Sequence, residues 1–267
     1  MYAFSYQRPA DLAETIRVIG AEPDARALAG GMTLIPSMKH RLTAPTVLLD
    51  IGRLPELQGI TIDGDSITIG AATRHGDVVR HSVLGERLPA LAHLAQSIGD
   101  RQVRARGTIG GSLANNDPAA DYPAAVLGLD ATIITDRRDI AADSFFQGMF
   151  TTALAADELV VRIRFPLPRR AAYAKFHHPA SGYAMTGVFV ARTAGGVRVA
   201  VTGAGSSVFR WTQAEAALTR SFAASSLDGL TLSDEGLNAD MHAPAAYRAH
   251  LVVVMTRRAV EQIEAST

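Results

Sequence analysis

Two glycine pairs carry the most chemistry in this chain of 267 residues. The first lies in Ala29-Gly30-Gly31-Met32-Thr33-Leu34, ahead of Ile35-Pro36-Ser37-Met38-Lys39. The second lies in Thr108-Ile109-Gly110-Gly111-Ser112-Leu113-Ala114 and runs on into Asn115-Asn116-Asp117-Pro118-Ala119-Ala120-Asp121. A glycine accepts positive φ and leaves no Cβ in the way of a ligand. Successive exposed N–H groups form a concavity that suits phosphate oxygens. Either pair alone also reads as a tight turn. Together they suggest one extended diphosphate held from two sides, a dinucleotide such as FAD. Asp117 and Asp121 follow the second pair closely, where a carboxylate accepts hydrogen bonds from a ligand. Neither loop is G-x-G-x-x-G, and no G-K-[ST] is present, so the two commonest nucleotide loops are excluded.

The elements that must position these loops follow from periodicity. Residues 9–19 predict a helix with Pro9 in its first turn, Leu12, Ile16 and Ile19 on one face, and Gly20 at its end. Residues 25–29 form a strand that delivers the first glycine pair, and 46–51 a second strand, which predicts a small parallel βαβ unit. Ile60 to Ile62 and Ile67 to Ile69 alternate about the turn Asp63-Gly64-Asp65, a hairpin. Leu84, Leu88, Leu91, Ala95 and Ile98 repeat at helical spacing up to Gly99. A helix over 124–129 and strands over 131–135 and 159–165 complete this part. The run Pro166-Leu167-Pro168-Arg169-Arg170 is the best internal boundary. Beyond it come strands over 173–177, 187–192 and 197–202, a helix over 211–218 and a long amphipathic helix over 243–264 with Pro244 in its first turn. The expected class is α+β, with a larger part over 1–170 (divided at about residue 52) and a smaller one over 171–267.

Bulk composition narrows the function. Twenty-six basic and 26 acidic residues balance to zero net charge, which argues against a nucleic-acid or membrane-surface partner. There is no cysteine, so the chain has no thiolate nucleophile and no cysteine ligands for zinc or an iron–sulfur cluster. No apolar stretch reaches the length of a membrane span, and the first residues do not follow a signal-peptide layout, so a cytoplasmic location is expected. No Ser/His/Asp set supports hydrolysis. His177 and His178 alternate on a strand and so do not share a metal. His242 and His250 read as surface or packing residues, and Arg101, Arg104 and Arg106 as a solvated face, a partner contact or neighbours of the diphosphate.

With these residues in view, the chain resembles the medium, flavoprotein subunit of the molybdenum hydroxylases, the family of aerobic carbon monoxide dehydrogenase, xanthine dehydrogenase and related N-heterocycle and aldehyde oxidoreductases. Residues 28–42 and 106–127 resemble its two FAD motifs, and the likeness runs through Lys175-Phe176 and Ser181-Gly182-Tyr183-Ala184 to Thr256-Arg257-Arg258. At Met32 the chain departs from the histidine that many carbon monoxide dehydrogenase members carry. The resemblance implies a p-cresol-methylhydroxylase-type FAD-binding domain of two subdomains, with FAD between them, followed by a small three-stranded antiparallel sheet with helices.

It also implies site roles. Ala27, Leu28, Ala29, Gly30, Gly31, Met32, Thr33 and Leu34 would wrap the pyrophosphate, with Thr108, Ile109, Gly110 and Gly111 on the other side. Asn115, Asp117 and Asp121 would contact the nucleotide, Val160 would meet it through backbone or packing, and Lys175 would lie near the isoalloxazine. Read without the resemblance, Lys175 is an ordinary exposed lysine. Tyr183 either covers a flavin face or packs in the core. No catalytic side chain and no metal are implied here. The partners implied are a large molybdopterin subunit and a small subunit with 2Fe–2S clusters, in a dimer of heterotrimers, with NAD, quinone or oxygen as external acceptor. A self-contained flavin oxidoreductase and a flavin-free assembly subunit are the alternatives.

Overall fold

The computed structural model describes residues 1–266. Its strands are β1 (Ser5–Gln7), β2 (Ala25–Leu28), β3 (Val47–Asp50), β4 (Ile60–Asp63), β5 (Ser66–Gly70), β6 (Thr132–Thr135), β7 (Asp139–Ala141), β8 (Phe146–Gly148), β9 (Thr151–Thr152), β10 (Val160–Pro166), β11 (Arg170–His177), β12 (Ala184–Thr193), β13 (Gly196–Thr202) and β14 (Phe209–Arg210). Its helices are α1 (Leu12–Ala21), α2 (Leu34–Lys39), α3 (His75–Arg80), α4 (Ser82–Arg87), α5 (Pro89–Gln96), α6 (Arg101–Arg106), α7 (Ile109–Asn115), α8 (Tyr122–Gly128), α9 (Ala142–Phe145), α10 (Thr212–Arg220) and α11 (Ala245–Ala265).

Three main sheets carry the architecture. The first is parallel, in the order β1-β3-β2, and so contains the expected βαβ unit with β1 added on the far edge. The second is antiparallel, β4-β5-β10-β6-β7, and begins with the hairpin read at Asp63-Gly64-Asp65. The third is antiparallel, β11-β12-β13-β14, with α10 and α11 packed on it; the short β14 extends the expected three strands to four. The second sheet's core also takes in Tyr173, Phe189, Ala191 and Ala200 from the third.

Local chemistry explains where elements start and stop. Helix α1 begins at Leu12, later than Pro9, because the Asp11 side chain accepts from the Glu14 N–H at 2.7 Å and Glu14 in turn accepts from the Ala10 N–H. The single helix expected across Leu84 to Ile98 is two, α4 and α5. Pro89 has no N–H to continue the ladder, and it opens the second helix instead. The apolar stripe survives the break, since Leu84, Leu88, Leu91 and Ala95 are all buried. Pro244 stands at the cap of α11, just outside its first turn. The second glycine pair also differs from expectation. Gly110 and Gly111 form the first turn of α7, capped by Thr108, whose hydroxyl accepts from the Gly111 N–H. Among the described residues no helix is long and apolar enough to cross a membrane.

A buried carboxylate ties the turn between β6 and β7 to the segment that precedes β10. Arg138 grips Glu158 with two hydrogen bonds of 2.8 Å, and Thr135 and the Ala155 N–H donate to the same group. Arg138 bonding, against the opposing effect of burial, lowers the Glu158 pKa from 4.5 to about 2. The folded pKa lies below the unfolded one, so this stabilisation is present above pH 4.5 and is lost as pH falls toward about 2. Glu158→Gln is therefore expected to lower stability at neutral pH and to flatten the acid limb between those values, as urea unfolding across that range would show.

Candidate functional site

The two glycine motifs meet because neither has side chains where they touch. A Cβ on Gly30 would stand 2.2 Å from the Arg106 carbonyl oxygen and 2.8 Å from the Gly107 Cα. A Cβ on Gly110 would stand 2.4 Å from the Ala71 Cβ. Gly30 serves the close approach of the first motif to the start of the second, and Gly110 the approach of α7 to the segment before α3. Gly31 serves conformation, with φ at +73°. The start of α7 is stitched to the segment before α3: Ile109 N–H donates to Thr73 O, Gly110 N–H to Ala71 O, and His75 N–H to Gly107 O.

Between the motifs lies a cleft of about 610 Å³. Ala27, Leu28, Ala29, Gly30, Gly31, Met32, Thr33 and Leu34 line it from the first motif, and Thr108, Gly111, Asn115, Asp117, Asp121 and Tyr183 from the other side. Four expected residues lie outside this lining. Ile109 is fully buried in the core, Gly110 packs on Ala71, and Val160 sits at the head of β10 against Thr135. Lys175 stands behind Asp121. Sequence reading missed His75, Ile98, Val103 and Gly107, which also line the cleft.

The two walls are not chemically equivalent. The backbone N–H groups of Gly30, Gly31, Met32, Thr33 and Leu34 have no hydrogen-bond partner among the described residues. On the α7 side the N–H groups of both glycines are already engaged. That wall retains polar side chains, Ser112, Asn115 and the Thr108 hydroxyl, which accepts from Gly111 and keeps its own proton to donate. His75 adds a buried imidazole. Burial first, and then Arg104, lowers its pKa to about 4, so it is neutral at physiological pH, and its Nδ1 lacks a partner. Its ring leans on Tyr122 at 5.3 Å. Five free amides in a row, a hydroxyl donor and a roomy cleft suit a pyrophosphate and its attached rings.

Asp121 lies at the cleft's inner end and is buried. Lys175 holds it at 2.9 and 3.0 Å through its two carboxylate oxygens, and the Tyr173 hydroxyl donates to it at 2.5 Å. Lys175 also donates to Ser97 O at 3.1 Å. The ammonium is thus a buried counter-ion, with its side chain 3% exposed. This overturns its reading as an exposed strand lysine. Burial pushes the Asp121 carboxyl up, while Lys175 and Tyr173 pull it down. Residues 117–121 are bolted to the end of β13: Gly203 N–H and the Thr202 hydroxyl donate to Pro118 O, and the same hydroxyl donates to Ala120 O. Tyr183 is half exposed and lines the cleft, which removes the core reading.

Arg104 closes the preceding turn through Ile98 O and Gly99 O, whereas Arg101 and Arg106 are exposed. His178 meets the ring of His242 edge-on at 4.4 Å, and His250 is exposed. Among the described residues no cluster of three or more His, Cys, Asp or Glu could hold a metal.

The family described as "FAD binding domain in molybdopterin dehydrogenase" matches residues 2–168. The chain therefore belongs to the FAD-binding subunits of the molybdenum hydroxylases, and it is an FAD-dependent oxidoreductase subunit of that class. It is 36% identical over 220 residues to the carbon monoxide dehydrogenase medium chain of Hydrogenophaga pseudoflava, covering 78% of this chain and 77% of that one. It is 32% identical over 282 aligned residues to the nicotine 6-hydroxylase medium subunit of Paenarthrobacter nicotinovorans, covering 99% of each. The solved carbon monoxide dehydrogenase from Oligotropha carboxidovorans superimposes with a TM-score of 0.90 at 31% identity, over the whole of both chains. The expected fold is thereby established.

One glycine betrays the Asp121 network in the sequence. Gly187 lies mid-strand in β12, paired with Lys175, and a Cβ there would come within 2.2 Å of the Tyr173 hydroxyl. Gly187→Ala is expected to cost about 1–3 kcal/mol through that overlap. In a Tyr173→Phe background, where the struck oxygen is gone, the cost should be smaller. A double-mutant cycle by denaturant unfolding measures the difference.

Proposed function

We propose that this chain is the electron-relay subunit of a multi-subunit molybdenum hydroxylase. It takes electrons from 2Fe–2S clusters on a small subunit, fed by a large molybdopterin subunit. It then passes them to an external acceptor, one of NAD, a quinone or oxygen, within a dimer of heterotrimers. The observation that carries the reading is the cleft with its five free amides. FAD, when bound, supplies the redox chemistry. The residues of the chain bind and orient it. The N–H groups of residues 30–34 hold pyrophosphate oxygens, and the Thr108 hydroxyl donates from the opposite wall. Asp121, fixed by Lys175 and Tyr173, accepts from a polar hydrogen of the ligand, and neutral His75 offers a partner without adding charge. The cleft-lining residues of both motifs are assigned on the same reading, with Lys175 acting through Asp121 and not on the ligand, as is the division near residue 170. The absence of cysteine supports it, because the clusters must then lie on partners.

The test is direct. The chain in its native complex is expected to carry one FAD and to elute with molybdenum and iron; a native form containing this chain alone overturns the relay. Gly31→Val forces a branched residue to φ of +73°, beside Ile35 and Leu28. Strain of about 1–3 kcal/mol should weaken flavin affinity roughly tenfold, read from the flavin absorbance retained after dialysis. Undiminished FAD content would remove this loop from the site.

A further inference from the structure

Every residue from Met1 to Arg8 is exposed, and Pro9 is the first buried one. The stretch is nevertheless held in place. β1 pairs with β3 alone, at one edge of the parallel sheet. Ser5 N–H donates to Thr46 O, and the Tyr6 hydroxyl donates to the Asp50 carboxylate. In a parallel ladder alternate residues turn to opposite edges, so Tyr6 directs its N–H and C=O away from the sheet. An open edge of this kind is a template for another strand.

Aromatic and basic side chains line that edge. Tyr2, Phe4 and Tyr6 are 55%, 38% and 47% exposed, and they stand two residues apart, the spacing that puts side chains on one face of an extended chain. Arg41 lies over the Tyr2 ring at 5.5 Å, and Arg8 over the Tyr6 ring at 5.6 Å. Arg41 holds φ at +61°, a costly conformation for a residue with a Cβ, and has no carboxylate partner among the described residues. Arg8 reaches only Asp50, at 3.9 Å. Both ends of the aromatic row are therefore positive.

Two arguments decide what the row fits. A second copy paired antiparallel about Ser5 would set Arg8 of each copy against Tyr2 and Arg41 of the other, like charge on like charge at both ends. The three rings, of about 150–250 Å² each and about half exposed, offer on the order of 300 Å², about half of the roughly 600 Å² per side that a stable interface needs. The strand thus suits one edge of a larger contact, made with a partner that brings carboxylates.

We propose that residues 1–8 are a docking strand for a partner subunit, which adds an extended segment of apolar and acidic side chains to the open edge of β1 and sets its carboxylates against Arg8 and Arg41. The proposal rests on the relay reading for the existence of partners and names the surface that one of them uses.

Hydrogen exchange on the purified native complex, and on the full chain by itself, reads the edge directly. The Tyr6 amide is expected to exchange freely in the chain alone and about tenfold or more slowly in the complex. Phe4→Ser and Arg41→Glu complexes are compared alongside by size exclusion at low and high salt. Each is expected to hold its partners about fivefold or more weakly, with FAD content unchanged, and the wild-type association should weaken with salt more steeply than that of Arg41→Glu. Equal Tyr6 exchange in chain and complex, wild-type retention of partners by both variants, or protection of Tyr6 through self-association of the chain alone would each overturn the docking strand. Failure of the relay reading is separable. A complex without molybdenum and iron in which Tyr6 is protected supports the docking strand and refutes the relay. A complex with both metals in which Tyr6 exchanges freely refutes the docking strand alone.

Discussion

The buried carboxylate of Asp121 is the constraint around which the rest is arranged. An ionised carboxylate out of water must be paired and hydrogen-bonded. Here both partners come from β11, where Tyr173 and Lys175 are two residues apart and so face the same way. The next strand gives way for them, because Gly187 leaves the space that the Tyr173 hydroxyl fills. The strand after that holds the rest of the Asp121 loop through Thr202 and Gly203. The third sheet is therefore part of the site although it contributes little surface to the cleft. Removing one partner from such a pair costs about 3–5 kcal/mol, so the sheet and the loop cannot vary independently.

The glycine motifs solve a different problem. A ligand cleft between two subdomains needs two backbone segments to pass within van der Waals contact and then diverge. Gly30 against Arg106 and Gly107 makes the contact, and Gly110 against Ala71 seats α7 on the segment before α3. Past it, the loop of residues 30–34 leaves the sheet with its amides unspent, while α7 spends its own on its cap and on residues 71–73. The free amides of residues 30–34 thus belong to one wall alone. The opposite wall contributes side chains, Thr108, Ser112, Asn115 and an imidazole kept neutral by burial.

Much of this was legible before any coordinates. The hairpin, the βαβ unit and the long last helix follow from periodicity and turn chemistry, and the cleft-lining residues of the first motif follow from the glycine pair and the resemblance. What escaped did so for physical reasons. The cap of α1 depends on Asp11 reaching Glu14, which outweighs the more conspicuous Pro9. The helix break at Pro89 was masked by an apolar stripe that continues through it. His75 gives no periodic signal, because its burial comes from segments distant in sequence, among them Gly107 and Tyr122. For Lys175 the resemblance set aside the usual exposed lysine in favour of a place near the isoalloxazine, but its contact with Asp121, 54 residues earlier, could not be read from the strand. Gly187 was the available clue, a lone glycine inside a strand with no turn to make.

The cleft shares Asp117 and Tyr183 with a second hollow of about 400 Å³, and this boundary shows how charge is distributed for the proposed relay. Burial first, and then the carboxylates of Asp117 and Asp121, raise the pKa of the Tyr183 hydroxyl, so it stays protonated and can donate. Asp121 is compensated by Lys175, and Asp240 by Arg248. Asp117 is the one carboxylate at the shared wall without an ion pair among the described residues; it accepts only the Ala119 N–H. Negative charge entering from either side would be opposed there, and opposed more strongly in a wall of low polarisability than in water. A pyrophosphate is therefore best placed at the far, amide-rich end of the cleft. In the proposed relay, uncharged rings are best placed at the Tyr183 end of the cleft.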